Sequence, residues 1–212
     1  MTPTPCDLLL VRHGVTDWNE EGRLLGRTPV PLNERGRAQA QAVAQALAGL
    51  PLSALLASPQ RRTQETAEAI ARASGLAVTT EPGLDEVWLG RWVGKKPADI
   101  QNDPDFERYL SDVTHSCDAI EAAEAVQRRV VSVAEGLRGR GEKERSASVL
   151  VSHADPLRLL LAHYLSLPLA WHRRLRIDPA SVSLLRFTPR GVSLMTLNWK
   201  AGASGLETFF VE

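Results

Sequence analysis

The chain has 212 residues, 43% of them hydrophobic and 24% charged, and its 25 Lys and Arg balance 25 Asp and Glu. This is an ordinary globular composition, long enough for one well-cored α/β domain, and zero formal charge gives no general claim on nucleic acid or a membrane surface. No apolar run approaches the ~20 residues that span a bilayer, residues 1–7 lack a basic-then-apolar leader, and Cys6 and Cys117 lie too far apart for a disulfide scaffold or zinc spacing, so a cytoplasmic protein is expected.

Residues 7–11 (Asp-Leu-Leu-Leu-Val) form a short apolar run that predicts a buried parallel strand, stopping at Arg12-His13-Gly14. A loop through Gly22, Gly26, Pro29 and Pro31 leads to Asn33, which can cap a helix over 34–50 with Val43 and Leu47 four apart on one face. Pro51 ends it. Residues 52–57 predict a second strand ending at Ser58-Pro59, residues 60–74 a helix stopped by Gly75, and residues 76–80 a weaker strand. From 81 to about 118 the pattern breaks. Gly83, Gly90, Gly94, Pro97 and Pro104 punctuate an irregular insertion, with a short helix near Phe106. Residues 120–138 predict an amphipathic helix closed by Gly139 and Gly141. Residues 148–151 predict a strand ending at Ser152-His153, and 156–165 a helix with Pro in its first turn. Residues 182–187 and 192–197 read as late strands across a turn at Pro189-Arg190-Gly191. With no repeat, low-complexity tract or linker, one domain over 1–212 is expected, its insertion lying over the active site.

Alternating strands and helices predict a three-layer α/β/α sandwich with a mostly parallel sheet. Three predicted strands end in polar residues: Arg12-His13, Ser58 with Arg62 one turn on, and Ser152-His153. Ligands of such sheets sit outside the carboxyl ends of the strands, so these residues are expected to converge. Their chemistry suits phosphoryl transfer. A neutral imidazole is a nucleophile, arginine's planar fork matches phosphate oxygens, and a carboxylic acid can protonate a leaving oxygen. His13 is the candidate nucleophile, Arg12 and Arg62 the clamp, His153 a further donor, and Glu86 an acid carried by the insertion. Singly, each has a plainer reading. Arg61, Arg62 and Arg72 can be a solvated helix face, His153 a strand-end histidine bonded to a carbonyl, and Glu86 beside Asp85 a surface acid. His115, His163 and His172 show no telling spacing, and Trp88 and Trp92 read as packing.

Several segments taken together resemble the histidine phosphatase superfamily, in its phosphoglycerate mutase-like branch. Leu10-Val11-Arg12-His13-Gly14-Val15-Thr16-Asp17-Trp18-Asn19 resembles the signature segment, and Gly26 with Pro31-Leu32-Asn33-Glu34-Arg35-Gly36 resembles the family's next loop and helix start. Ser58-Pro59-Gln60-Arg61-Arg62-Thr63 resembles the motif whose arginine falls four after the serine, which selects Arg62 over Arg61. Leu84-Asp85-Glu86 with Gly90, Trp92 and Gly94 resembles the acid motif, and Val151-Ser152-His153 the second-histidine motif. The resemblance implies the phosphoglycerate mutase-like fold and a phosphohistidine on His13 formed without metal or other cofactor. It implies a pocket of Arg12, Arg62 and His153, with Glu86 as acid and then base. Thr16, Asn19, Ala154 and the backbone near Gly26 would meet the substrate.

Two departures bear on the site. Val15 stands where Glu or Gln is common, and Ala154-Asp155 replaces a frequent Gly-Gly; Asp155 is expected to cap a helix beginning at Pro156. Members divide into mutases and phosphatases. The mutases carry Tyr three after the acid, Lys eleven after it and an Arg pair beyond, where this chain has Leu89, Pro97 and only the single Arg91 and Arg108. A phosphatase acting on a small phosphorylated metabolite is therefore expected. The alternatives are a cofactor-dependent phosphoglycerate mutase and a non-catalytic relative that binds phospho-ligands. No nucleic-acid or membrane partner is expected, and a homodimer stays open.

Overall fold

The computed structural model describes residues 6–112, 120–138, 146–203 and 205–210. His115 and Cys117, and the end of the expected insertion, lie outside them.

A six-stranded sheet carries the strand order β3-β2-β4-β1-β5-β6. Its strands are β1 (Cys6–Arg12), β2 (Leu52–Ala57), β3 (Val78–Thr80), β4 (Ala147–Ser152), β5 (Ser181–Thr188) and β6 (Gly191–Lys200). The pairings β3-β2, β2-β4 and β4-β1 are parallel, whereas β1-β5 and β5-β6 are antiparallel. The helices are α1 (Asp17–Glu20), α2 (Glu34–Leu47), α3 (Arg61–Ser74), α4 (Pro104–Ser111), α5 (Ala123–Arg138) and α6 (Ala154–Tyr164). No described helix is long and apolar enough to cross a membrane.

The layers arise from the two-residue period of a strand. Leu9 and Val11 of β1, with Val149 and Val151 of β4, face one core with Val43, Leu47 and Ile70 of α2 and α3. Leu8, Leu10 and Leu150 face the other, with Val130, Leu157 and Leu160 of α5 and α6. Alternate residues thus enter opposite cores, which is why β1 reads as continuously apolar. At about 25 cal/mol per Å² removed from water, both faces contribute to holding this strand. Phe209 and Phe210, past the last strand, also pack on the first core.

The insertion has a third core. Val87, Leu89, Trp92, Ile100 and Phe106 pack with Ile120, Val126 and Leu159. The helix expected near Phe106 is α4, started by Asp103, whose carboxylate accepts from the Asp105 N–H, with Pro104 in its first turn. Trp92 is fully buried and its indole N–H donates to Asp103 at 2.9 Å. Trp88, expected to pack, is instead 48% exposed.

Two other differences have local causes. α2 stops at Leu47 rather than at residue 50, because the chain must turn extended before Pro51. α6 starts at Ala154, with His153 as its N-cap, so Asp155 lies inside the first turn and is not the cap. Arg158, one turn on, holds its carboxylate at 2.9 Å, and the helix dipole favours an acid there.

Gly14 and Gly36 meet face to face where the loop after β1 crosses the start of α2. A Cβ on Gly36 would overlap the Val15 carbonyl, and one on Gly14 the Gly36 carbonyl. Alanine in a helix is ordinarily better than glycine by ~1 kcal/mol. Here the obstacle is backbone adjoining His13, so overpacking of about 1–3 kcal/mol outweighs that preference. Gly36→Ala is expected to lose up to about 2 kcal/mol net and to lower the melting temperature by up to roughly 8 °C, measured by calorimetry.

Candidate active site

The parallel half of the sheet places the site. β2, β4 and β1 are neighbours, and at their carboxyl ends stand Ser58, His153 and Arg12-His13. Backbone bonds carry the pairing past the strands: the Ser58 N–H donates to Val151 O at 3.0 Å and the His13 N–H to Ser152 O at 3.1 Å. Arg62 comes from the first turn of α3, and Glu86 from the stretch after β3. All five expected catalytic residues lie at this end of the sheet.

His13 is buried, and its Nδ1 lies 2.7 Å from the Gly14 carbonyl. A carbonyl only accepts, so Nδ1 carries the proton and Nε2 the lone pair. Arg62 Nε donates to that Nε2 at 3.3 Å. Burial, then the Arg62 and Arg12 guanidiniums, push the His13 imidazole well below its usual range, so it is neutral at neutral pH.

Arg62 is fully buried, an unusual place for a helix arginine. Its Nη1 donates to Thr28 O at 2.9 Å and its Nη2 to Gly26 O at 2.8 Å. The positive φ of Gly26, +48°, lets the loop turn its carbonyl toward the guanidinium. Arg62 Nη2 also lies 3.1 Å from His153 Nδ1. Burial lowers its pKa to about 10, so it remains a cation at neutral pH. The two imidazoles meet edge to face with centroids 5.2 Å apart. Arg12 donates through Nη1 to Ile177 O at 2.7 Å. Its Nε is buried with no partner, one of two such side-chain atoms among the described residues, the other being Ser181 Oγ.

Glu86 Oε2 lies 3.8 Å from His153 Nδ1, and Oε1 accepts from the Val87 N–H at 2.9 Å. Burial and then the Asp155 carboxylate raise its carboxyl to about 7, against the pull of Arg62 and Arg12. Its peptide is fixed from outside. Arg27 Nε and Arg129 Nη2 donate to Glu86 O at 2.9 and 3.1 Å, and Glu121 pairs with both arginines. Sequence reasoning missed this brace: singly charged residues in three separate segments carry no shared spacing.

The expected substrate contacts are placed differently. Thr16 and Asn19 bond to each other in a capping box on α1, with Thr16 Oγ donating to Asn19 Oδ1 at 3.1 Å. Gly26 turns its carbonyl to Arg62, and Ala154 begins α6 directly after His153. His172 is buried with Nδ1 2.8 Å from Leu169 O, which fits its structural reading. No group of three or more His, Cys, Asp or Glu among the described residues is arranged to hold a metal ion.

The sequence profile of the histidine phosphatase superfamily (branch 1) matches residues 8–200. Phosphoserine phosphatase 1 of Hydrogenobacter thermophilus is 32% identical over 195 residues, 90% of this chain and 91% of that protein. The Enterobacter sp. (strain 638) protein named "Probable phosphoglycerate mutase GpmB" is 35% identical over 181 residues, 84% of this chain and 83% of that protein. The chain spans only 54% of the length of other relatives, including a Mycobacterium tuberculosis bifunctional protein. Among solved structures, a mycobacterial glucosyl-3-phosphoglycerate phosphatase complexed with VO3 superposes with a TM-score of 0.82 at 30% identity, over 92% of this chain and 99% of that one. With this profile match and relatives on both the phosphatase and the mutase side, the chain belongs to the histidine phosphatase superfamily, branch 1, and has the phosphoglycerate mutase-like fold.

Proposed function

We propose that this protein is a phosphomonoesterase that hydrolyses a small phosphorylated metabolite through a phosphohistidine on His13. The observation that carries the reading is the bare, neutral Nε2 of His13 held beside the buried Arg62 cation, with the unpartnered Arg12 Nε N–H in the same site. A phosphoryl oxygen satisfies that N–H, and two guanidiniums supply the positive charge that the transferring group needs.

In the first step Nε2 attacks phosphorus, the phosphorus–oxygen bond of the ester breaks, and protonated Glu86 gives its proton to the leaving alcohol. In the second, water attacks the phosphohistidine and Glu86 takes its proton. The nitrogen–phosphorus bond then breaks and inorganic phosphate leaves. His153 donates to a phosphoryl oxygen. Ala154 and the loop at Gly26 border the substrate, and Thr16 and Asn19 shape the loop after β1.

Hydrolysis is favoured over mutase chemistry by the insertion. Leu89, at the place of the mutase tyrosine, is 8% exposed and packs in the insertion core, and Pro97 opens a short turn. Two experiments test the reading. Rapid quench with a 32P-labelled phosphomonoester is expected to trap acid-labile label on the wild type and none on His13→Ala. A panel of phosphomonoesters run against 3-phosphoglycerate with a trace of its 2,3-bisphosphate is expected to release phosphate. Fast isomerisation with little phosphate would assign the mutase instead.

A further inference from the structure

Ser58 takes no part in the steps above, yet its hydroxyl lies behind the His153 ring and Asp85 lies behind Ser58. Donor chemistry sets the direction of each bond. A guanidinium only donates, so the Arg62 Nη2 contact at 3.1 Å requires a lone pair on His153 Nδ1. The single proton of the neutral ring is then on Nε2, which lies 2.8 Å from Ser58 Oγ. Ser58 Oγ also accepts from the Gln60 N–H at 3.3 Å, and its own proton goes to Asp85 Oδ1 at 3.3 Å. The same Asp85 oxygen accepts from Gln60 Nε2 and from the Glu86 N–H, both at 2.8 Å, while its second oxygen faces Arg27 Nε at 3.4 Å. Ser58 and His153 are fully buried and Asp85 is 9% exposed, so water does not screen the chain of bonds.

We propose that Asp85 is a positioning residue that acts through Ser58 on His153. The relay pins the ring's proton on Nε2 and turns Nδ1, with its lone pair, toward the phosphoryl site. A phosphomonoester monoanion can pass its proton to Nδ1, which returns it as a hydrogen bond to the same oxygen. The carboxylate at the far end steadies the positive ring that results, as partners behind a ligating or catalytic histidine do elsewhere. By holding the Glu86 N–H, the same carboxylate aligns the acid with the imidazole. The effect on turnover rests on the phosphohistidine reading; the effect on the ring does not.

The test combines a spectrum and a mutant cycle. In the unliganded wild type, imidazole 15N–1H spectra are expected to show a His153 Nε2–H resonance far downfield. Asp85→Ala, which does not touch the ring, is expected to move it upfield, and Ser58→Ala to move it further. With 4-nitrophenyl phosphate, each variant is expected to lose about 10–100-fold in kcat with KM within about threefold. The double variant is expected to be no worse than the weaker single one, because the two act as a unit. Asp85→Asn keeps an acceptor oxygen without the charge, so it is expected to hold the Nε2–H resonance nearer its wild-type position than Asp85→Ala does while recovering only part of the rate. An unmoved Nε2–H resonance, additive losses, or a raised KM at unchanged kcat would overturn the relay. Should Asp85→Ala fail to fold, Ser58→Ala decides the matter, since it leaves the bonds of Asp85 to Gln60 and Glu86 in place. Unchanged turnover in His13→Ala would instead overturn the phosphohistidine reading, and the spectra would still judge the relay.

Discussion

Arg62→Met is expected to lower kcat/KM by about 10²–10⁴-fold and to loosen the loop over the site. Two of the guanidinium N–H groups now rest on ring nitrogens, at 3.3 Å on His13 and 3.1 Å on His153. A phosphoryl group arriving between the rings takes over both. Charge-assisted bonds of this kind contribute about 1.5–3 kcal/mol each, and two give about 3–6 kcal/mol in the transition state, which sets the expected range. Methionine fills a similar elongated volume without charge. The other two bonds, to Gly26 O and Thr28 O, are structural. Their loss leaves buried carbonyls without donors, at about 1–3 kcal/mol each, partly offset because a cation no longer has to be buried. A fall in melting temperature of roughly 5–10 °C is expected, so activity is measured well below it, with folding checked by circular dichroism. A folded variant with near-wild-type kcat/KM would remove Arg62 from the phosphate clamp.

Glu86→Gln separates activity from stability. A carboxyl raised to about 7 is largely protonated below that pH and can donate to the leaving oxygen; above it the donor is lost. The wild-type kcat/KM for an alkyl phosphomonoester is therefore expected to fall as pH rises through about 7. In Glu86→Gln that limb should vanish, with a loss of about 10²–10⁴-fold, the usual worth of a positioned general acid. The stability effect has the opposite sign. The folded pKa lies above the ordinary 4.5, so stability is full below 4.5 and declines until pH passes 7, where the fold must bury a carboxylate. The gap between 4.5 and about 7 corresponds to about 3 kcal/mol. Urea unfolding should find Glu86→Gln more stable than wild type by up to that amount at pH 8, and similar near pH 4.5. Equal stability of the two proteins at pH 8 would contradict the buried-carboxyl environment.

Arg12, His13, Ser58 and His153 were legible because each sits at the end of a short apolar run, whereas Arg62 and Glu86 were picked out by the resemblance of the segments around them. Residues 7–11, 52–57 and 148–151 read as strands from hydrophobicity alone, and β1, β2 and β4 do end at Arg12-His13, Ser58 and Ser152-His153. Asp155 was misread because a Pro one residue later suggested a helix start, while the capture of its carboxylate by Arg158 is a side-chain event one turn further on. The insertion was read as irregular because its apolar residues follow neither period. They gather into a core around Trp92 only when loop, α4 and α5 are brought together.

The sequence by itself marked His13, Arg12, Arg62, His153 and Glu86 as candidates, through polar residues at the ends of apolar runs and through the resemblance of the segments that carry them. It also determined the layered fold, because the period of apolar residues sets which face each element buries. Only the tertiary structure decided the state of those groups. Which nitrogen of His13 is bare depends on the Gly14 carbonyl and on Arg62, 49 residues away. Whether Glu86 is an acid near neutral pH depends on its burial beside Asp155. Protonation is an energy of environment, and the environment here is assembled from four chain segments that no spacing in the sequence connects.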